Sequence, residues 1–328
     1  MFMPKVSILI AARDEEENLP TLLKSIERLK KEGIDLEILF GNDASNDKTA
    51  EILDGFVSKN NYAQVFHLEE KSIEEKLQGK TRVLEKLLSE AKGDFYFFTD
   101  ADVELPVNWI FAMLQHFSGN VGVIVGLSTM PNDSVISALQ GLEWLSAIHF
   151  MHLLSEYKVE TTGMGNNMVV SKEAYWSTGG YENIPFSIVE DYALYKAIID
   201  NGYDFKQTFE PDLLAYTKPP ERFFEQRKRW MKGAFETGSL LIIPALLQAI
   251  FLPIIIFICF WNFTFAFWII LNLVVLHFIQ IGFIQAKLKL RGYLRFVPLF
   301  VLYLPIAWFL QLVNYFLKGD VIWKGRKY

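Results

Sequence analysis

The chain has a single cysteine, Cys259, so it can form no internal disulfide and no thiolate metal cluster. No Gly-x-Gly-x-x-Gly follows its first apolar strand, which removes the dinucleotide fingerprint. No Gly-x-x-x-x-Gly-Lys-Ser/Thr occurs either, because the "GKT" at Gly79–Thr81 lacks the earlier glycine. ATPase and dehydrogenase readings drop out. The early apolar run Val6–Ala12 is too short for a signal-peptide core and is closed by Arg13-Asp14-Glu15, so this part is expected to stay in the cytoplasm. A net charge of −6 argues against nucleic acid as a partner.

Charge is also missing locally. Between Gly238 and Ala286 there is no Asp, Glu, Lys or Arg, and none between Phe296 and Leu317. A bilayer core needs about 20 apolar residues per helical span. We read two spans, at about 240–261 and 263–286, and a third apolar segment at about 296–317. The chain is expected to divide into a soluble domain, 1–232, and a membrane domain, 233–328. Arg227, Lys228, Arg229 and Lys232 precede the first span, and Lys287, Lys289, Arg291 and Arg295 follow the second. The turn around Asn262 carries no basic residue. Both basic clusters, and the soluble domain with them, are expected at the cytoplasmic face. The third segment is open. If it spans, the tail with Lys318, Lys324, Arg326 and Lys327 lies outside; if Pro298 and Pro305 make it re-entrant or interfacial, the tail stays inside.

What is present in the first 232 residues is alternation. Strands are expected at Val6–Ile10, Glu37–Phe40, Gln64–Leu68 and Phe95–Thr99, and helices at Glu16–Lys31, Lys48–Lys59 and Thr81–Ala91. This pattern predicts an α/β fold with a doubly wound, mostly parallel sheet. Ligands of such sheets sit at the carboxyl ends of strands. Acids stand there: Asp14-Glu15-Glu16 after the first strand, Asp43 after the second, and Asp100-Ala101-Asp102 after the fourth. Two carboxylates at i, i+2 past a strand can hold one hard cation that takes its other oxygens from a diphosphate. Singly, each acid reads as a solvated turn or a helix-start residue, with Ser45 or Asp47 as the cap after Asp43. His149 and His152, at i, i+3 in an apolar stretch, read as packing residues, since no third metal ligand is near them in sequence.

The ordered set of segments resembles family 2 of the inverting glycosyltransferases, whose nucleotide-sugar fold is called GT-A. "VSILIAARDEEENL" resembles that family's opening strand and turn, with Asp14 where Asn is usual. "NDASND" resembles its Asp-Asp-Gly-Ser-x-Asp turn, with Asn42 and Ala44 as departures. "GKTRVLEKLLSEAKGDFYFFTDADVEL" resembles the run from Gly-Lys to the metal-binding Asp-x-Asp. "GMGNNMVVSKEAYWSTGGY" resembles the acceptor-side segment, "VEDYAL" the Glu-Asp pair of the catalytic base, and "QRKRW" the Gln-x-x-Arg-Trp signature. The resemblance covers about residues 4–232.

It implies a metal-dependent transferase of a hexose from a nucleotide-sugar, with a UDP-sugar as the commonest family donor and Mg2+ or Mn2+ as cofactor. Glu15, Asp43, Lys80, Asp100, Gln226, Arg229 and Trp230 would contact the donor. Asp102, with Asp100, would hold the metal, Asp191 would be the general base and Glu190 its nearest rival. Gly165, Asn166, Asn167 and Trp230 would line the acceptor side. Late apolar segments with none before the domain suit transfer to a lipid or lipid-linked acceptor at the cytosolic face of a bacterial inner membrane. The ending "VIWKGRKY" resembles that of bacterial relatives of ceramide glucosyltransferase, including hopanoid-associated ones. The alternatives are a processive polysaccharide synthase and, in another class, a nucleotidyltransferase.

Overall fold

The computed structural model describes residues 3–70, 77–237, 239, 241–317, 322–323 and 326–327. The basic tail from Lys318 onward thus lies outside the described residues, apart from the paired backbones of Ile322–Trp323 and Arg326–Lys327. In chain order the elements are β1 (Lys5–Ala12), α1 (Leu19–Glu27), β2 (Asp35–Asp43), α2 (Thr49–Val57), β3 (Ala63–Leu68), α3 (Gly79–Glu90), β4 (Phe95–Asp100) and β5 (Val103–Glu104). Next come α4 (Trp109–Leu114), β6 (Val121–Val125), β7 (Leu127–Thr129), α5 (Val135–Glu156), β8 (Met168–Ser171), α6 (Lys172–Ser177), α7 (Glu190–Asp200), β9 (Asp204–Gln207) and β10 (Leu214–Thr217). The chain closes with α8 (Phe223–Thr237), α9 (Ile242–Trp261), α10 (Phe263–Lys287) and α11 (Val297–Phe316). They form two compact units, Met1–Ser128 with Thr162–Thr217, and Thr129–Thr161 with Lys218–Tyr328.

The first unit is built on a seven-stranded sheet of order β3-β2-β1-β4-β8-β6-β9. The expected α/β class holds, and the sheet is mostly parallel: only β8 runs against its neighbours β4 and β6. Val6, Ile8, Leu9 and Ile10 of β1 are all buried, the continuous apolar pattern of a strand covered on both faces. Register then decides chemistry. Ala12 is paired with Asn42 and Ala11 with Asp100, so β1, β2 and β4 end at one level. Their following residues emerge along a single edge. Helix α3 seats closely on β2 because residue 41 is glycine; a Cβ there would lie 2.2 Å from Val83 Cγ1.

The first two strand-end loops are stitched to each other. Asp14 Oδ1 accepts the Asn46 N–H at 2.8 Å, Asp47 Oδ2 accepts the Glu16 N–H at 2.9 Å, and Glu16 Oε2 accepts the Lys48 N–H at 3.0 Å. The Glu15 N–H donates to Thr49 Oγ1 at 2.8 Å. Two of the three departures from the family pattern sit here in left-handed backbone, Asp14 at φ 53° and Ala44 at φ 52°. The loop keeps a glycine-type conformation although alanine occupies it.

The second unit holds α5 and the four C-terminal helices. Helices α9 and α10 form a hairpin whose turn is Asn262, with its Oδ1 capping the Phe265 N–H at 3.0 Å. Inside this unit Arg227 of α8 makes a buried two-pronged ion pair with Glu143 of α5, both contacts at 2.8 Å, and Tyr303 of α11 donates to the same carboxylate at 3.0 Å. Rings of Phe223, Trp230 and Trp308 surround the Arg227 guanidinium at 5.0–5.8 Å.

A non-glycine residue in the left-handed region costs on the order of 1 kcal/mol, partly offset by glycine's greater freedom in the unfolded chain. Ala44→Gly should therefore stabilise the first unit by about 0.5–1 kcal/mol. The check is a shift of the denaturant midpoint to higher concentration with the slope unchanged.

Candidate active site

The edge where β1, β2 and β4 end gathers the acids that the sequence singles out. Asp43, the last residue of β2, is buried, and its carboxylate is taken up by two cations that sequence reasoning did not assign to it. Arg82 Nη2 reaches Oδ1 at 3.1 Å and Arg13 Nη1 lies 3.9 Å from Oδ2. Arg13 also donates to the Asp43 carbonyl at 2.8 Å. The sequence offered one hint for Arg82, its place two residues after Lys80 at the start of α3, but nothing that ties it to Asp43.

Asp100 ends β4 and Asp102 follows two residues later. Thr217 of β10 donates to Asp102 Oδ2 at 3.3 Å. Burial, then the negative charges of Asp100 and Glu15, push the Asp102 carboxyl up to about 6 from an ordinary 3.8. The negative charge gathered beside Asp102 favours a nearby cation. Among the described residues no group of three His, Cys, Asp or Glu side chains stands ready to enclose a metal. Asp100 and Asp102 would thus supply two ligands and leave positions for oxygens from elsewhere.

Lys80, in the first turn of α3, joins this acidic edge to a second one. Its Nζ donates to Asp100 Oδ1 at 2.6 Å and pairs with Glu190 Oε1 at 3.0 Å. Burial opposes the ammonium, but Asp100, Glu190 and Asp191 outweigh it and hold the Lys80 pKa above its ordinary value. Lys80 is a permanent cation here.

Glu190 and Asp191 open α7. The Asp191 carboxylate is oriented by backbone: Gly165 N–H donates to Oδ2 at 2.7 Å and Tyr192 N–H to Oδ1 at 2.8 Å. Burial and the adjacent Glu190 raise its pKa to about 6, while those two N–H groups and Lys80 act in the other direction. Gly165 lies so close that a Cβ would stand 3.1 Å from Asp191 Cβ and 3.4 Å from Lys80 Nζ. Leu9, Phe98, Met168 and Tyr181 complete an apolar floor beneath Lys80, Glu190 and Asp191. The arrangement combines a fixed cation with a carboxylate whose proton affinity approaches neutrality. Such a carboxylate can accept a proton from a weakly acidic hydroxyl.

The acceptor-side residues behave differently from one another. Asn166 bridges, accepting from Thr99 Oγ1 through its carbonyl at 3.2 Å and from Ser128 Oγ at 3.3 Å. Asn167 is fully buried, accepts from Trp109 Nε1 and donates to the carbonyls of Leu127 and Leu213, each at 2.8 Å. It braces the segment from inside. Glu15 holds Asn18 Nδ2 at 2.7 Å. Gln226, Arg229 and Trp230 lie on α8 in the second unit, where the Trp230 ring packs 5.5 Å from that of Trp144. His149, read as a packing residue, packs on the Phe283 ring at 5.3 Å in the same unit.

A model described as glycosyl transferase family 2 matches residues 7–179, and one described as glycosyl transferase family group 2 matches residues 97–317. The chain is 26% identical over 237 residues to a poly-beta-1,6-N-acetyl-D-glucosamine synthase of Staphylococcus epidermidis, covering 70% of this chain and 55% of that one. It is 24% identical over 185 residues to a beta-monoglucosyldiacylglycerol synthase of Synechocystis, covering 54% and 37%. The chain thus spans about half the length of the first relative and less of the second. A mannosyltransferase from Pyrobaculum calidifontis, solved with GDP-Man and Mn2+, aligns with a TM-score of 0.54 at 18% identity, covering 71% of this chain and 62% of that one. That likeness is one of fold.

Breaking a buried ion pair by removing one partner costs about 3–5 kcal/mol. Because Arg13 remains near Asp43, Arg82→Met should cost about 3 kcal/mol, at the low end of that range. Chemical denaturation checks it, with Arg82→Lys expected to recover part of the loss.

Proposed function

Because the chain belongs to glycosyl transferase family 2, we propose that it transfers a sugar, with inversion, from a nucleotide-sugar to a lipid-type acceptor at the cytoplasmic face of a bacterial membrane. The observation that carries this reading is the Lys80 junction, one ammonium between Asp100 and the Glu190–Asp191 pair. Asp191 takes the proton of the acceptor hydroxyl as that oxygen attacks the anomeric carbon, opposite the departing nucleoside diphosphate. The backbone N–H groups of Gly165 and Tyr192 aim its carboxylate. Lys80 holds positive charge close to where the diphosphate accumulates negative charge. Asp100 and Asp102 would hold Mg2+ or Mn2+, which neutralises charge on the leaving group; the fold neighbour solved with Mn2+ supports that choice.

The three long apolar helices among the described residues and the likeness to a glycolipid synthase support the lipid acceptor. The likeness to a polysaccharide synthase supports a second reading, repeated transfer to a growing chain. The experiment that separates them is mass spectrometry of membrane lipids incubated with the protein and a panel of nucleotide sugars. A lipid gaining one hexose supports the proposal, a ladder of sugar increments supports the polymerase, and pyrophosphate release would point to nucleotidyl transfer. Chelation of divalent metal should stop the reaction and added Mg2+ or Mn2+ should restore it.

A general base contributes about 10²–10⁴-fold to rate. Asp191→Asn should lower kcat by that factor and leave the donor Kd unchanged; full turnover by this variant would remove Asp191 from the mechanism. The carboxylate works only deprotonated, and its pKa is raised to about 6. At saturating metal, kcat/KM should level off above pH 6 and fall about tenfold per pH unit below it.

A further inference from the structure

The turn that leads into Glu190 and Asp191 is pinned by Glu85, a carboxylate that stands apart from the acids at the strand ends. Between α6 and α7 the chain reverses through Gly179 and Gly180, both in left-handed backbone at φ 78° and 75°, where a Cβ is disfavoured. Thr178 Oγ1 accepts the Gly180 N–H at 3.2 Å, and Tyr181 follows at once. From there to Val189 no helix or strand supports the chain, yet this segment delivers Glu190 and Asp191 to Lys80.

Glu85 lies on α3, the helix that carries Lys80, and five residues further on, about 7.5 Å along the axis. Its Oε2 accepts the Tyr175 hydroxyl and, at 3.0 Å, the Tyr181 N–H. The same N–H also reaches the Tyr175 oxygen at 3.1 Å, so the three groups close on one another. Residue 180 is glycine for space as well as for φ. A Cβ there would stand 3.1 Å from the Tyr175 hydroxyl oxygen and 3.3 Å from Glu85 Oε1. Tyr175 is itself fully buried, edge-on to the Tyr96 ring at 5.8 Å, so the clamp is anchored in the core.

Tyr181 carries this anchorage to the site. It is buried and lines the crevice together with Lys80, Gly165, Glu190 and Asp191. Burial, reinforced by the charges of Glu190, Asp191 and Glu85, raises its phenol pKa well above the usual value, so the side chain stays neutral. Asp191 is thus faced by Glu190 beside it, by the Lys80 ammonium from α3 and by the neutral Tyr181. Burial is the largest cause of the raised Asp191 pKa, and a bulky neutral ring on the crevice wall excludes water from one side of that carboxylate. Resting on the reading of Asp191 as general base, we propose that Glu85 is a positioning residue. It ties the Gly179–Tyr181 turn to the helix that carries Lys80, and so keeps Tyr181 packed beneath the base. One helix then sets both the cation of the site and its floor.

Steady-state transfer by the full chain, followed against pH, is compared for Glu85→Ala, Glu85→Gln and Tyr175→Phe. A misplacement of about 1 Å costs on the order of 10²-fold in rate, so Glu85→Ala should lower kcat by about 10–100-fold with the donor Kd unchanged. Water reaching Asp191 should also lower its pKa from about 6 toward the ordinary 3.8, moving the acid limb of kcat/KM to lower pH. Glu85→Gln keeps an accepting oxygen in place and should restore most of both. Tyr175→Phe removes one hydroxyl and leaves the ring; it should shift both in the same direction by less, and it decides the case if Glu85→Ala does not fold. Hydrogen exchange supplies a readout free of catalysis: the peptide containing Gly179–Tyr181 should exchange faster in Glu85→Ala and at the wild-type rate in Glu85→Gln. Faster exchange with kcat and the acid limb unmoved overturns the proposal, because the clamp is then structural only, and unchanged exchange overturns it as well. Full turnover by Asp191→Asn instead removes the base on which the proposal rests, and the exchange data keep that failure distinct from a failure of the clamp.

Discussion

One ammonium holds the chemistry of the first unit together. Lys80 touches Asp100 at the end of β4 and Glu190 at the start of α7, elements far apart in sequence. Without that cation, Asp100, Glu190 and Asp191 would face each other as uncompensated carboxylates in a partly buried place. Several features of the fold serve its position. Gly41 lets α3 approach β2, the parallel register brings Asp100 level with the end of β1, and Gly165 leaves room beside Asp191. The site is therefore a consequence of close backbone approach as much as of charge.

The same logic appears in the second unit with a different cation. Arg227 is buried with Glu143, and Tyr303 closes the carboxylate from a third helix. A guanidinium suits this place because its planar fork matches a carboxylate with two bonds and its faces accept aromatic rings. The basic stretch "QRKRW" is consequently not uniform. Arg227 is a locking residue inside its unit, whereas Lys228 reaches the open carbonyl end of α11.

Membership of glycosyl transferase family 2 does not bring every family residue with it. Asp14 and Ala44 replace residues usual in the family, yet their backbones keep left-handed conformations. Reciprocal hydrogen bonds between the two loops hold them there. Tertiary contacts can impose a conformation that the local residue disfavours.

The alternation of strands and helices, the uncharged segments and the acids at strand ends were all legible in sequence. Each depends on local pattern: period-2 or period-3.6 burial, absence of charge, and residue type beside an apolar run. Tertiary structure alone decided which acids share a partner. Nothing in the local sequence ties Lys80 to Glu190, Arg82 to Asp43, or Thr217 to Asp102, because those contacts arise from strand order and register. It also turned Asn167 inward, to be consumed by Trp109 and two carbonyls. For the third apolar segment, composition stated only that it could span. Where its two ends are hydrogen-bonded is a property of packing among helices, and length and hydropathy carry no record of it.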